Sequence, residues 1–342
     1  MPSLLDATML NERVAAAMAR SIRSRIDICE LDLTGWVVAT EAATGPYATT
    51  AAAAVAAGAE VWAVAADSPY GTVGDAERDV ATLLQALGEV PTTLSVITDK
   101  DELPYERIRL VTNSGFLRPI DAAMIEGLPK SAVIALMYEV WEARDGDIDY
   151  AAASERGVRI IGVDEHHPAC GAFELVGDLV FAAALRRRWP IRWMRYGVLS
   201  DNPFGEVILD ALRSLGARAE RIHPDDPVEC DVVVVATTPA ASAQGGDPLL
   251  QPAAAADLVA ESGAFGCIQL WGDLDVGRLR SAGVMVEPEE EPRAGHQGIG
   301  MGDAGFEAVV RLQVGGMSAA FHASEPDSPI RSLGVELSWS RA

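Results

Sequence analysis

The residues best suited to chemistry in this chain follow short apolar runs. Glu165-His166-His167-Pro168 comes directly after the run around Val158-Arg159-Ile160-Ile161. An imidazole exchanges protons near neutral pH, and an adjacent carboxylate can orient it. Glu165, His166 and His167 are therefore the candidate acid/base group. A metal site built on these three is not expected, because adjacent side chains diverge and a further ligand must come from elsewhere. His296 lies in Gly295-His296-Gln297-Gly298-Ile299-Gly300-Met301-Gly302. Such a glycine-rich loop is either a lid carrying a catalytic histidine or an ordinary surface loop.

Other candidates lie at turns. The turn Thr40-Glu41-Ala42-Ala43-Thr44-Gly45-Pro46-Tyr47 stands where a dinucleotide-binding fold carries GxGxxG. Only Gly45 is present, so Thr44 and Gly45 are the cofactor candidates and Tyr47 a substrate contact. Asp67-Ser68 lies about twenty residues further, where an acid would bind a ribose hydroxyl or simply fasten a turn. Thr112-Asn113-Ser114-Gly115 ends another apolar run. Asp201-Asn202-Pro203-Phe204-Gly205 opens a helix, so Asp201 and Asn202 either cap it or touch a ligand. Arg118 and Arg311 are candidates to hold an anionic substrate group.

The elements that must position these residues are strands and helices in alternation. Trp36–Thr40, Val61–Ala65, Leu94–Ile97, Ile108–Val111, Ala132–Leu136 and Val158–Ile161 are short, continuous apolar runs, as in a parallel sheet covered on both faces. A helix over about 171–188 follows. A second set of strands comes at Tyr196–Leu199, Asp231–Ala236 and Gly266–Leu270, and Ala308–Val314 reads as strand-like. The expected fold is α/β, two Rossmann-like or flavodoxin-like parallel-sheet domains joined by a long helix. The expected divisions are an N-terminal helical segment 1–32, a Rossmann-like domain 33–170, the connecting helix 171–190, and a second α/β domain 191–342.

Composition limits the partners. The chain has 342 residues, 27 Lys+Arg against 50 Asp+Glu, and a net charge of −23. Nucleic acid and anionic membrane surfaces are therefore disfavoured. Four scattered cysteines without CxxC spacing argue against a disulfide framework and fit a cytoplasmic protein. The N-terminal residues show no signal peptide. The small-residue helix at 48–57 and the helix at 171–188 each offer a face to a second subunit, so a homodimer is expected.

The order Val111-Thr112-Asn113-Ser114-Gly115, then Met124 to Ile134, then Glu139-Val140-Trp141-Glu142 and Asp147-Ile148-Asp149, resembles the cofactor-domain half of D-2-hydroxyacid dehydrogenases and adenosylhomocysteinases. Those families pass from a Thr/Gly turn to a helix, a buried strand and an acidic Ile-Asp. Glu165-His166-His167-Pro168 resembles the His-Pro or Pro-His before their domain-connecting helix. The resemblance covers about 33–188. It lacks the glycine fingerprint, and Met137-Tyr138-Glu139 replaces an arginine-bearing segment. It implies NAD or NADP as cofactor, Asp67 on the adenosine ribose, Thr112 to Gly115 and Glu139 near the cofactor, and His166 or His167 as acid/base. The leading expectation is an NAD(P)-dependent enzyme working on a small polar substrate in a cleft between two domains. The alternatives are a cofactor-independent lyase, hydrolase or isomerase acting on a nucleoside-like or amino-acid-like molecule, and a non-catalytic binding protein.

Overall fold

The computed structural model describes residues 10–90, 93–225, 228–240 and 248–337. The N-terminal residues read above for a leader lie outside them. The strands are β1 Val37–Glu41, β2 Glu60–Val64, β3 Leu94–Ile97, β4 Leu110–Thr112, β5 Val133–Ala135, β6 Arg159–Val163, β7 Arg195–Leu199, β8 Arg218–Arg221, β9 Val232–Ala236, β10 Gly266–Trp271, β11 Met285–Glu287 and β12 Gly334–Glu336. The helices are α1 Glu12–Ile28, α2 Thr49–Ala56, α3 Val73–Leu87, α4 Ala122–Gly127, α5 Tyr150–Arg156, α6 Val176–Arg186, α7 Phe204–Ser214, α8 Pro252–Glu261, α9 Val276–Ser281 and α10 Phe306–Ser324.

The chain forms two units, one of residues 1–172 with 305–342 and the other of 173–304. In the first, the strand order is β12-β6-β5-β4-β1-β2-β3, parallel except for β12 against β6. Strands β1 to β3 step one way and β4 to β6 the other. Right-handed crossovers therefore put their helices on opposite faces and open a crevice between the carboxyl ends of β1 and β4. Strand β1 is buried along its whole length, as a strand covered on both faces must be. Helix α2 is enclosed as well, with Ala51 to Ala54 fully buried against α3 and α10. It has no face left for a partner subunit, contrary to the expectation above.

Two other expectations are corrected in this unit. Ala308–Val314 is not a strand but part of the 19-residue helix α10. A short apolar, β-branched run fits either period, and length decides between them. Helix α10 then packs on β4, β5 and β6 of the first sheet, so residues 305–342 belong with the first unit rather than with 191–304.

The second unit has the order β11-β10-β9-β7-β8, all parallel. Its switch of direction lies between β7 and β9. The expected connecting helix is shorter than read. It is α6, beginning at Val176 after a short turn at Phe173–Leu175, and it is fastened inside this unit by Arg186 and Arg187 on Glu287 at 2.8 and 2.7 Å. Both units are thus α/β with parallel sheets, the edge strand β12 apart, as expected from the alternating apolar runs.

Candidate active site

Strand β1 ends in Thr40-Glu41 and β4 in Thr112, followed by Asn113-Ser114-Gly115. The register pairs Ala39 with Val111, so these two ends lie side by side at the crevice. Thr40 Oγ1 and Thr112 Oγ1 are 2.8 Å apart, and Thr112 Oγ1 is 2.8 Å from Ser114 Oγ. The three hydroxyls are buried and partner one another.

Glu41 is 6% exposed at the end of this strand. Its carboxylate lies over Gly115, where a Cβ would come within 1.7 Å of Oε2. Only glycine leaves room for it. Burial pushes the Glu41 carboxyl up to about 7, partly offset by the Arg118 charge and the Phe116 backbone N–H. A carboxyl in that range gives and takes protons at neutral pH.

Beside it, Asn113 is 1% exposed. Its Nδ2 donates to Tyr138 OH at 2.7 Å, and Tyr138 OH donates to Asp147 Oδ2 at 2.9 Å. Since the phenol proton goes to Asp147, the phenol oxygen accepts, and the asparagine must turn its N–H side inward. That leaves Asn113 Oδ1 buried with no partner among the described residues. The Thr49 hydroxyl at the start of α2 is also buried, with no partner among the described residues. Arg118 meets Asp147 at 3.5 Å, a loose pair on a half-buried guanidinium.

A second carboxyl group lies after β5 and β6. Glu142 and Glu165 are buried, and Glu139 is half-buried. Burial pushes Glu142 up to about 7 and Glu165 well above the usual range, with Glu142 the next contributor at Glu165. Glu139 is likewise raised, chiefly by burial. It accepts the Glu165 backbone N–H at 3.1 Å. Among the described residues no group of His, Cys, Asp and Glu is placed to hold a metal ion.

The other sequence candidates fall as follows. His166 is exposed, with its backbone N–H on Asp164. His167 Nδ1 accepts the Ala169 N–H at 3.1 Å. Thr44 Oγ1 donates to Tyr70 O, and Tyr47 O accepts from Thr50. Asp67 is exposed and accepts the Val73 N–H at 2.9 Å, fastening its loop to α3. Ser68 Oγ accepts the Tyr70 N–H. Arg311 donates to Glu307 at 2.9 Å and to Cys170 O at 3.3 Å. In the second unit, the loop of His296 runs along the end of β10 and is pinned there, Gly298 N–H on Leu270 O and Gly295 N–H on Asp273. It is not a free flap. His322, passed over above, has both ring nitrogens engaged at 2.6 Å by Cys29 O and Ser328 Oγ, a structural histidine.

A dinucleotide needs free backbone N–H groups at the first strand-to-helix turn for its diphosphate. In the first unit the Gly45 N–H is taken at 2.9 Å by Asp79, a carboxylate that is 2% exposed. Buried Glu41 adds a second negative group at the same turn. In the second unit, Pro203 lacks an N–H, and the Phe204 N–H is taken by Asn202 Oδ1 at 3.1 Å. Asp201 accepts the Thr238 N–H at 2.8 Å, and Arg221 donates to Ser200 O. Neither turn fits a diphosphate as it stands.

The residues missed by sequence reasoning are Glu41, Tyr138, Asp147 and Asp79. For Glu41 a signal existed: a lone carboxylate closing an otherwise apolar strand at the end where open sheets bind ligands.

No protein-family model matches this chain, and no curated protein matches it in sequence. Among solved structures, the dipicolinate synthase of Bacillus subtilis is similar, 12% identical over 89% of this chain and 99% of that chain, with a TM-score of 0.50. The dipicolinate synthase of Bacillus halodurans is 12% identical over 83% and 96%, TM-score 0.49. NAD+-bound 3-phosphoglycerate dehydrogenase in Entamoeba histolytica is 10% identical over 83% and 94%, TM-score 0.44. At such identities the likeness is one of fold.

Proposed function

We propose that this chain is an enzyme performing acid/base chemistry on a small polar molecule at the β1/β4 crevice, with Glu41 as the proton carrier. The observation that carries this reading is the Glu41 carboxyl, buried at the switch of strand direction and pushed up to about 7. Near neutral pH both its forms are populated, so it can take a proton from a substrate and return it. Arg118 supplies positive charge beside it to steady an anion formed on proton removal. The Thr40–Thr112–Ser114 chain holds the floor of the crevice rigid. His166 and His167 stay in this reading as acid/base candidates at the neighbouring strand end.

The test uses the protein in deuterium oxide with a panel of small amino, hydroxy and keto acids, following loss of carbon-bound proton signals by NMR. Exchange is expected with one class, slowed about a hundredfold or more in Glu41→Gln. Equal rates in both proteins would remove Glu41 from the chemistry.

A second reading is an NAD(P)-dependent oxidoreductase acting on a small polar substrate. The resemblance of residues 33–188 to the cofactor-domain half of D-2-hydroxyacid dehydrogenases favours it. The engaged N–H groups at both turns weigh against it, since a diphosphate would have to displace Asp79 or Asn202. Calorimetry with NAD and with NADP decides: clear binding of either restores this reading over the first.

A further inference from the structure

Arg118 apart, the described residues of the β1/β4 crevice offer few free hydrogen-bond donors. Asn113 Oδ1 is buried and has no partner among the described residues. The Glu41 carboxyl is buried beside the Phe116 backbone N–H and the Arg118 charge, which only partly offset its burial. Asp147 already receives Tyr138 and meets Arg118 loosely. The hydroxyls of Thr40, Thr112 and Ser114 partner one another, and the Thr49 hydroxyl serves as donor or acceptor alike. A buried acceptor left unpaired is costly, so an occupant that brings donors is favoured over one that brings acceptors. The chain's net charge of −23 acts in the same direction.

We infer that the crevice binds the protonated primary amine of a small polar molecule, with Asn113 Oδ1 and the Glu41 carboxylate accepting its protons. An ammonium offers three donors and no acceptor, which matches the two strand ends. The geometry supports both contacts from adjacent strands: Glu41 closes β1, Asn113 follows β4, and Gly115 brings the carboxylate close to the β4 loop. Tyr138 then acts as a positioning residue, holding the Asn113 amide so that its oxygen faces the ligand. This inference rests on the same crevice as the proposed function but not on turnover.

The experiment is equilibrium titration of the whole protein with ethylammonium, acetamide and acetate, each followed by calorimetry and by chemical-shift changes. Ethylammonium is expected to bind most tightly, with acetamide weaker and acetate weakest. Asn113→Leu removes the acceptor and is expected to weaken ethylammonium about tenfold, while Asn113→Asp retains binding. Should the leucine variant fail to fold by circular dichroism, Asn113→Asp against Asn113→Ser gives the same contrast. Acetamide or acetate binding as tightly as ethylammonium, unchanged binding in Asn113→Leu, or no binding of any probe to the folded wild type would each overturn the assignment. Amine binding that persists while Glu41→Gln leaves proton exchange untouched would sink the proposed function and leave this site standing.

Discussion

The molecule contains two crevices of the same topological kind, one between β1 and β4 and one between β7 and β9. Each lies where a parallel sheet reverses its direction of winding, the place where open α/β sheets bind ligands. Their polar groups differ. At β7/β9, Asn202 donates to Ala236 O at 2.8 Å and accepts the Phe204 N–H, while Asp201 holds the Thr238 backbone and side chain. Arg221 bridges Ser200 O and Glu206. Those groups are engaged in holding the loop itself. At β1/β4, a buried carboxyl and a buried amide oxygen are short of donors. Topology supplies a crevice in both units, and the residues placed there decide whether it is a site or a structural joint.

The contrast between the two crevices depends first on Glu41. Its folded-state proton affinity is raised above that of the unfolded chain, so the folded state binds more protons between pH of about 4.5 and about 7. Stability from this group is full below that window and lost as pH rises through it, on the order of 3 kcal/mol. Glu41→Gln is therefore expected to be more stable than wild type at pH 8 and to lose that advantage at pH 5, measured by urea unfolding. Glu142, also raised to about 7, and Glu165 act in the same direction and leave a residual slope in the variant. A wild type whose difference from the variant does not change with pH would remove Glu41 from the set of buried, neutralised carboxyls.

Next in size is the hundredfold loss of carbon-proton exchange in Glu41→Gln. Gly115→Ala tests the seat of that carboxylate. The new methyl would meet Oε2 at 1.7 Å, so the carboxyl must swing away, at an expected cost of about 1–3 kcal/mol in unfolding experiments. Proton exchange should fall with it. The smallest effect is expected in the second crevice. Asn202→Ala removes the acceptor of the Phe204 N–H and a loop fastening on Ala236 O, for about 1 kcal/mol of stability, with proton exchange unchanged. If exchange fell there as far as at Glu41, the two crevices would no longer differ in kind.

Much of the fold was legible because buried parallel strands are continuous β-branched runs, and such runs occur at β1, β2, β5, β6 and β9. Helix α10 was not, since Ala308–Val314 alone satisfies a strand pattern and its continuation through Gly315-Gly316 weakens a helical reading. Those glycines are explained by packing: a Cβ at Gly315 would lie 2.7 Å from Cys170 Sγ, and at Gly316 2.9 Å from Met137 Sδ. Thr112, Asn113, Ser114, Gly115 and Arg118 were picked out as residues closing or following an apolar run. Their grouping with Glu41 was not, because β1 and β4 are about seventy residues apart in sequence and adjacent only in the sheet.

Residue type and near spacing account for the local facts: the period of most elements, the strand ends where polar residues cluster, the missing glycine fingerprint and the strong negative charge. Which polar groups are engaged is settled in three dimensions. Asp79 reaches across from α3 to take the Gly45 N–H, Tyr138 turns the Asn113 amide, and Gly115 admits the Glu41 carboxylate. Each of these depends on groups distant in the chain meeting within hydrogen-bond range or van der Waals contact, a condition that no spacing in the sequence encodes.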